Sequence, residues 1–197
     1  KPGPVDCSSI MVSEAGENVI VTRAAQGEAL SIGDAAPFLD FKQGDLLLLQ
    51  CNLQPGLTRF VASEAKRAGA RVIFNPAPYK PWARSLADMS DMVILNRQEA
   101  SAWTGRSNSA EAIADLDLPL AIVTLGVEGC LARRRGEDTK RFPASAVEAV
   151  DTTAAGDTFV GVFAAEWLAT GEEEKAISLA LRAASASVAR KGAVASI

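Results

Sequence analysis

Histidine is absent from this 197-residue chain, which excludes Ser-His-Asp and Cys-His nucleophilic catalysis and any histidine-ligated zinc centre. Cysteine is scarce. Cys7, Cys51 and Cys130 are widely spaced and odd in number, the pattern of free thiols in a reducing, cytoplasmic compartment rather than of a disulfide framework. Long apolar runs are also missing: Leu46–Leu49, the longest beside a predicted strand, is far too short to span a bilayer. No charged segment followed by an apolar one opens the chain, so no secretory signal is expected. Charge of one sign is not in excess either. A net charge of −4, with acidic and basic residues interspersed, leaves no basic footprint for nucleic acid. The triplet Arg133-Arg134-Arg135 fits a solvated hairpin. Finally, no Gly-x-x-x-x-Gly-Lys-Ser/Thr is present, so the chain is not a P-loop NTPase. The expected partners are small molecules, with neither nucleic acid nor membrane.

What is present is an ordinary globular mixture, 48% hydrophobic and 22% charged, enough for a sizeable core in one domain or slightly more. Short apolar runs alternate with helix-length segments. Asp45–Gln50 reads as a buried strand, followed by a helix from about Pro55 to Ala68 that Gly69 stops. Arg71–Phe74 is the next strand, ending in the rigid turn Asn75-Pro76-Ala77-Pro78. A short helix near Pro81–Met89 leads to the strand Met92–Leu95. Helices over about Gln98–Thr104 and Ser109–Leu116 then precede the strand Ala121–Leu125. This rhythm predicts an α/β fold, a mostly parallel sheet flanked by helices, with the site in the loops after the strands. Two stretches read instead as hairpins: Ile10–Ser13 with Asn18–Thr22, and Cys130–Arg134 with Thr139–Phe142. Two long helices, about Ala155–Ala169 and Glu173–Arg190, complete the pattern.

The most informative stretch is residues 151–161, Asp-Thr-Thr-Ala-Ala-Gly-Asp-Thr-Phe-Val-Gly. Ala154, Ala155 and Gly156 form a turn of small residues that opens a helix, so unpaired N–H groups converge and the helix dipole adds positive potential. A carboxylate at Asp157, beside such an anion hole, suits a general base that takes a proton from a hydroxyl attacking a phosphoryl group. It also suits an acidic residue in a helix first turn with no catalytic task. Asn96-Arg97-Gln98-Glu99 lies where a strand gives way to a helix, and its Asn and Glu match a common capping arrangement. Thr124-Leu125-Gly126-Val127-Glu128-Gly129 follows a buried strand and by itself describes an ordinary turn.

Taken together, these motifs resemble the ribokinase-like (PfkB-type) carbohydrate kinases, with ribokinase the nearest branch. The resemblance implies ATP-dependent phosphoryl transfer to a sugar hydroxyl. It makes Asp157 the base, in contact with the substrate, and gives the anion hole to Ala154, Ala155 and Gly156. Asn96 and Glu99 match a motif near the phosphates and Mg²⁺, acting through water. Thr124, Leu125, Gly126, Val127, Glu128 and Gly129 match a loop lining the nucleotide site, to which Gly156 also belongs. Arg190-Lys191-Gly192-Ala193 matches a ribokinase segment that, with the Asp-Thr-Thr turn, holds a monovalent cation, usually K⁺. Carried across, the cation set is Asp151, Thr153, Ser187, Arg190, Gly192 and Ser196. Two positions depart from the pattern: Leu181 stands where a polar residue often meets adenine, and Asn52 where ribokinases often carry an acidic substrate contact.

The resemblance covers roughly the last two-thirds of a family member. Glu14-Ala15-Gly16-Glu17-Asn18 looks like part of the family's β lid. Residues 1–24 are therefore expected to be a partial β lid and 25–197 the nucleotide-binding α/β portion. The sugar-binding N-terminal half of the family has no counterpart in these residues. The expectation is a fragment of a longer kinase, with a sheet face and an edge left uncovered, or a chain that buries that surface by self-association. A non-catalytic nucleotide-binding fragment, or a kinase of a nucleoside or vitamin precursor, are the alternative readings.

Overall fold

The computed structural model describes residues 5–12, 18–190 and 192. Strands β1 (Cys7–Val12) and β2 (Asn18–Arg23) form an antiparallel hairpin, Cys7 opposite Arg23 and Val12 opposite Asn18. Ser13 and the lid-like residues Glu14 to Glu17 lie outside the described residues. A short α1 (Ala25–Ala29) follows, and its first amides are held by the hairpin's base. Asp6 accepts from Gln26 N–H at 2.7 Å and from Gly27 N–H at 2.9 Å, one carboxylate satisfying two helix-start donors. A one-turn α2 (Ile32–Ala35), closed by a capping box between Ser31 and Asp34, runs into a 3₁₀ turn at Ala36–Phe38.

The main body is a six-stranded sheet whose spatial order follows the sequence: β3 (Leu46–Leu49), β4 (Arg71–Phe74), β5 (Met92–Asn96), β6 (Leu120–Thr124), β7 (Cys130–Arg134) and β8 (Lys140–Phe142). Strands β3 to β6 are parallel, and β7 and β8 add as the antiparallel hairpin anticipated from the sequence. Parallel neighbours in sequential order require crossovers of one hand, which places every connection on the same face. That face carries α3 (Pro55–Arg67), a 3₁₀ segment at Pro81–Met89, α4 (Arg97–Thr104) and α5 (Ser109–Asp115). Pro81–Met89 thus differs from the expected helix in being 3₁₀. The other face is covered by α6 (Ala155–Thr170) and α7 (Glu173–Val188), packed as an antiparallel pair around Gly171.

Burial on both faces explains the near-continuous apolar strands. Val72, Phe74, Val93, Leu95, Ala121 and Val123 enter the core beneath α3 to α5. Their neighbours Ile73, Met92, Ile94, Leu120 and Ile122 enter the core beneath α6 and α7, the period-2 alternation of a pleated strand. Helix α6 anchors the second core through Phe159, Phe163 and Trp167, one residue per turn, with ring centroids 6.3 and 6.0 Å apart. Arg71 lies over the Trp167 ring at 4.3 Å. At the opposite margin β3 is an edge strand, with Leu48 42% exposed. The sheet therefore delivers the ends of four parallel strands, and the first turn of α6, to one side of the molecule.

Candidate active site

Every backbone step in the Asp151–Asp157 turn has a local cause. Ala154 caps α6 in the left-handed region, φ 62°, with no side-chain cap, a conformation that costs an alanine roughly 1–2 kcal/mol. Its carbonyl accepts from Thr158 N–H at 2.8 Å, and Thr152 accepts from Ala155 N–H at 3.3 Å. Of the amides expected in the anion hole, only that of Ala155 is engaged inside the turn. Ala154, Gly156 and Asp157 keep N–H groups without a partner among the described residues, the last two inside the first turn of α6. The Asp157 carboxylate stands exposed beside them in the first helical turn. Asp151 braces the turn from below, Oδ1 accepting from Thr153 N–H at 2.9 Å and Oδ2 from Gly192 N–H at 3.0 Å.

Asn96 and Glu99 make the reciprocal cap that their spacing suggested, Asn96 Oδ1 accepting from Glu99 N–H and Glu99 Oε2 from Asn96 N–H, both at 2.8 Å. Glu99 is buried, and that burial, with the nearby Asp157 charge adding to it, raises its carboxyl above the ordinary 4.5. One carboxylate and one amide do not enclose a metal, and among the described residues no cluster of three acidic or cysteine ligands exists. Such a donor pair fits an ion that keeps its own water and is held through it. The buried thiols take no part in nucleophilic chemistry, since burial pushes Cys51 up to about 11 and Cys130 up to about 12.

A cavity of about 420 Å³ opens beside the α6 turn. Thr124, Gly126, Gly129, Gly156, Phe159 and Leu181 are among the residues lining it. Val127 also lines it, at the exposed tip of the loop. Gly129 is irreplaceable there: φ is +91°, and a Cβ would sit 1.9 Å from the Phe142 carbonyl oxygen. Two of the loop residues expected in the lining lie elsewhere. Leu125 is buried in the core beneath α3 to α5, and Glu128 turns outward to Arg97 at 2.6 Å and Arg141 at 3.0 Å. Those two guanidinium groups hold the Glu128 carboxyl below its usual range and tie the loop to the start of α4 and to β8.

Of the expected cation set, the fold gathers Asp151, Thr153 and Gly192 by the hydrogen bonds above. The end of α7 joins them, because Val188 O accepts from Val150 and Asp151 N–H at 2.7 and 3.1 Å. Ser187 is buried with its hydroxyl on Ala184 O, and its carbonyl accepts from Arg190 N–H at 3.1 Å. Lys191, Ala193 and Ser196 lie outside the described residues. Asn52 is exposed on the loop after β3 and does not line the cavity. Sequence reasoning missed Gln50 and Asn75, which end β3 and β4 at the same side as Asp157; a polar residue closing an apolar parallel strand was the available signal.

Comparison with known proteins places this geometry. The model of the pfkB family carbohydrate kinases matches residues 7–197. A ribokinase of Haemophilus influenzae is 32% identical over 197 residues, covering 95% of this chain and 64% of the relative. Among solved structures, the ribokinase of Thermotoga maritima superposes with a TM-score of 0.84 at 32% identity, over 98% of this chain and 66% of that one. The ribokinase of Arabidopsis thaliana, complexed with ribose and ATP, gives a TM-score of 0.81 at 27% identity, over 98% and 66% of the two chains. The chain thus spans about two-thirds of the length of these relatives. The fold is ribokinase-like, and the chain belongs to the pfkB family of carbohydrate kinases.

Proposed function

We propose that this chain supplies the nucleotide site and the catalytic base of an ATP-dependent sugar kinase. The observation that carries the reading is the juxtaposition at the start of α6. An exposed carboxylate, Asp157, and two unpaired amides, Gly156 and Asp157, stand at the mouth of an apolar cavity. The nucleotide base lies in that cavity against Leu181 and Phe159, under the Gly126–Gly129 loop, and its phosphates point to the α6 amides. The apolar Leu181 grips the ring through its faces rather than by a polar contact.

In the reaction, Asp157 takes the proton of the acceptor hydroxyl as that oxygen attacks the γ-phosphorus. The bond to the β,γ-bridging oxygen breaks and ADP leaves. The Gly156 and Asp157 amides stabilise charge on the transferred phosphoryl oxygens, a donor worth roughly 3–4 kcal/mol in comparable sites. Asn96 and Glu99 would hold Mg²⁺ through its water, and the ion would supply neutralisation of phosphate charge. Asp151, Thr153, Ser187, Arg190 and Gly192 would hold K⁺, which would stiffen the turn behind the anion hole. Residues 1–24 act as a partial lid and 25–197 as the nucleotide-binding portion. The acceptor is a sugar; the Arabidopsis ribokinase, complexed with ribose and ATP, supports a pentose, and Asn52 is proposed as an acceptor contact.

The test is ADP production by the purified chain with Mg²⁺, K⁺ and ATP across a panel of pentoses, hexoses and nucleosides. Sugar-dependent release supports the reading and identifies the acceptor. Release with nucleosides alone, or ATP binding without release from folded protein, would replace it with one of the two alternatives above.

A further inference from the structure

The described hydrogen bonds contain a relay that ends on Asp157, and its polarity is forced rather than chosen. It begins at the Ile94 backbone carbonyl in β5, which can only accept. Asn75 Nδ2 donates to it at 2.9 Å, so the Asn75 amide has a single workable orientation and its Oδ1 must face the other way. That oxygen meets Gln50 Nε2 at 3.0 Å, which fixes the Gln50 amide in turn. The Gln50 NH₂ has a second hydrogen, and the same nitrogen lies 3.5 Å from Asp157 Oδ1. Asn75 is buried and Gln50 half-buried, so water competes weakly with the inner bonds. The outer bond is long, as catalytic hydrogen bonds commonly are before a substrate closes the site.

We infer that Gln50, locked by Asn75 to the β5 backbone, is a positioning residue for the Asp157 carboxylate. The inference rests on the reading of Asp157 as the base. Its physical content is directional. The amide occupies one lone-pair direction of Oδ1, which leaves Oδ2 to take the proton and keeps the carboxylate turned to the sheet's end rather than swinging into solvent. A neutral amide is also a donor that can hold this carboxylate without neutralising it. The relay also joins the ends of β3 and β4 to the backbone of β5, making the base's orientation a property of the sheet and not of the α6 turn alone.

The test pairs a magnetic-resonance observation with kinetics. The side-chain NH₂ signals of Gln50 are identified by their loss in Gln50→Met, a change of similar shape with no donor. In Asp157→Ala, one of the two Gln50 protons is expected to shift and the other, which faces Asn75, to stay. Both protons unmoved would overturn the inference whether or not the chain turns over. In phosphoryl transfer, Gln50→Met is expected to lower kcat roughly ten- to hundredfold with the KM for ATP within about twofold. Gln50→Glu, the same size with a carboxylate facing Asp157, is expected to fall at least as far. Full turnover in Gln50→Met, alongside an inactive Asp157→Asn, would contradict the positioning role and leave the base intact. Full turnover in Asp157→Asn would contradict the base itself.

Discussion

A carboxylate buried at the foot of a helix, as Glu99 is, answers to two demands that pull apart. As the reciprocal cap of Asn96 it needs only an acceptor oxygen; as the holder of a metal-bound water it needs its charge. Burial raises its carboxyl above 4.5, so the fold favours the protonated form. The stability gained from that preference is complete below the unfolded-state value and is lost as pH rises through the higher folded-state value. Glu99→Gln keeps an acceptor for the Asn96 amide and deletes the charge. It is therefore predicted to raise the melting temperature at pH 7 by roughly 2–4 °C, with the gain vanishing as pH falls below the carboxylate range. Melts across pH in metal-free buffer check this, and a loss of stability at pH 7 would contradict it. The same variant is expected to lose Mg²⁺-dependent turnover, separating the residue's two roles.

Among the elements, α6 connects stability to chemistry most directly. Its first turn presents Asp157 while Phe159, Phe163 and Trp167 seat it on the sheet. Phe163 is fully buried, so Phe163→Ala is predicted to cost about 3–5 kcal/mol in denaturant unfolding; a cost below about 1 kcal/mol would mean that the helix is not anchored there. The strands and long helices were legible because both periods are clean: Arg71–Phe74, Met92–Leu95 and the Gly-closed helices follow directly from apolar spacing and stop signals. Helices α1 and α2 were not, being too short and too polar to set up a period, and the 3₁₀ character of Pro81–Met89 leaves the same composition signal as an α-turn. In the site, Asp157, Asn96 and Glu99 could be read because each sits in a local motif. Gln50 and Asn75 left only the weak signal of a polar residue closing an apolar strand, since their partners lie 107 and 19 residues away and meet only when the sheet forms.

At the scale of the whole molecule, the sheet's edge at β3 is the exposed feature with consequences. A strand of four leucines offers unpaired backbone groups, and Leu48 is 42% exposed. The isolated chain is predicted to self-associate as concentration rises, and Leu48→Lys, placing a charge on that edge, to suppress this with stability within about 0.5 kcal/mol. Sedimentation of the two proteins decides it; a wild-type monomer at all concentrations would contradict the prediction. If the cavity, the α6 turn and the acceptor serve one reaction, wild type and Asp157→Asn differ in turnover and not in nucleotide binding. ADP release with acceptor and ATP affinity by calorimetry would be measured on both. Sugar-dependent release is expected from the wild type, with a drop of about 10²–10⁴-fold in the variant and ATP affinity unchanged within about twofold. Near-wild-type turnover by Asp157→Asn would contradict it.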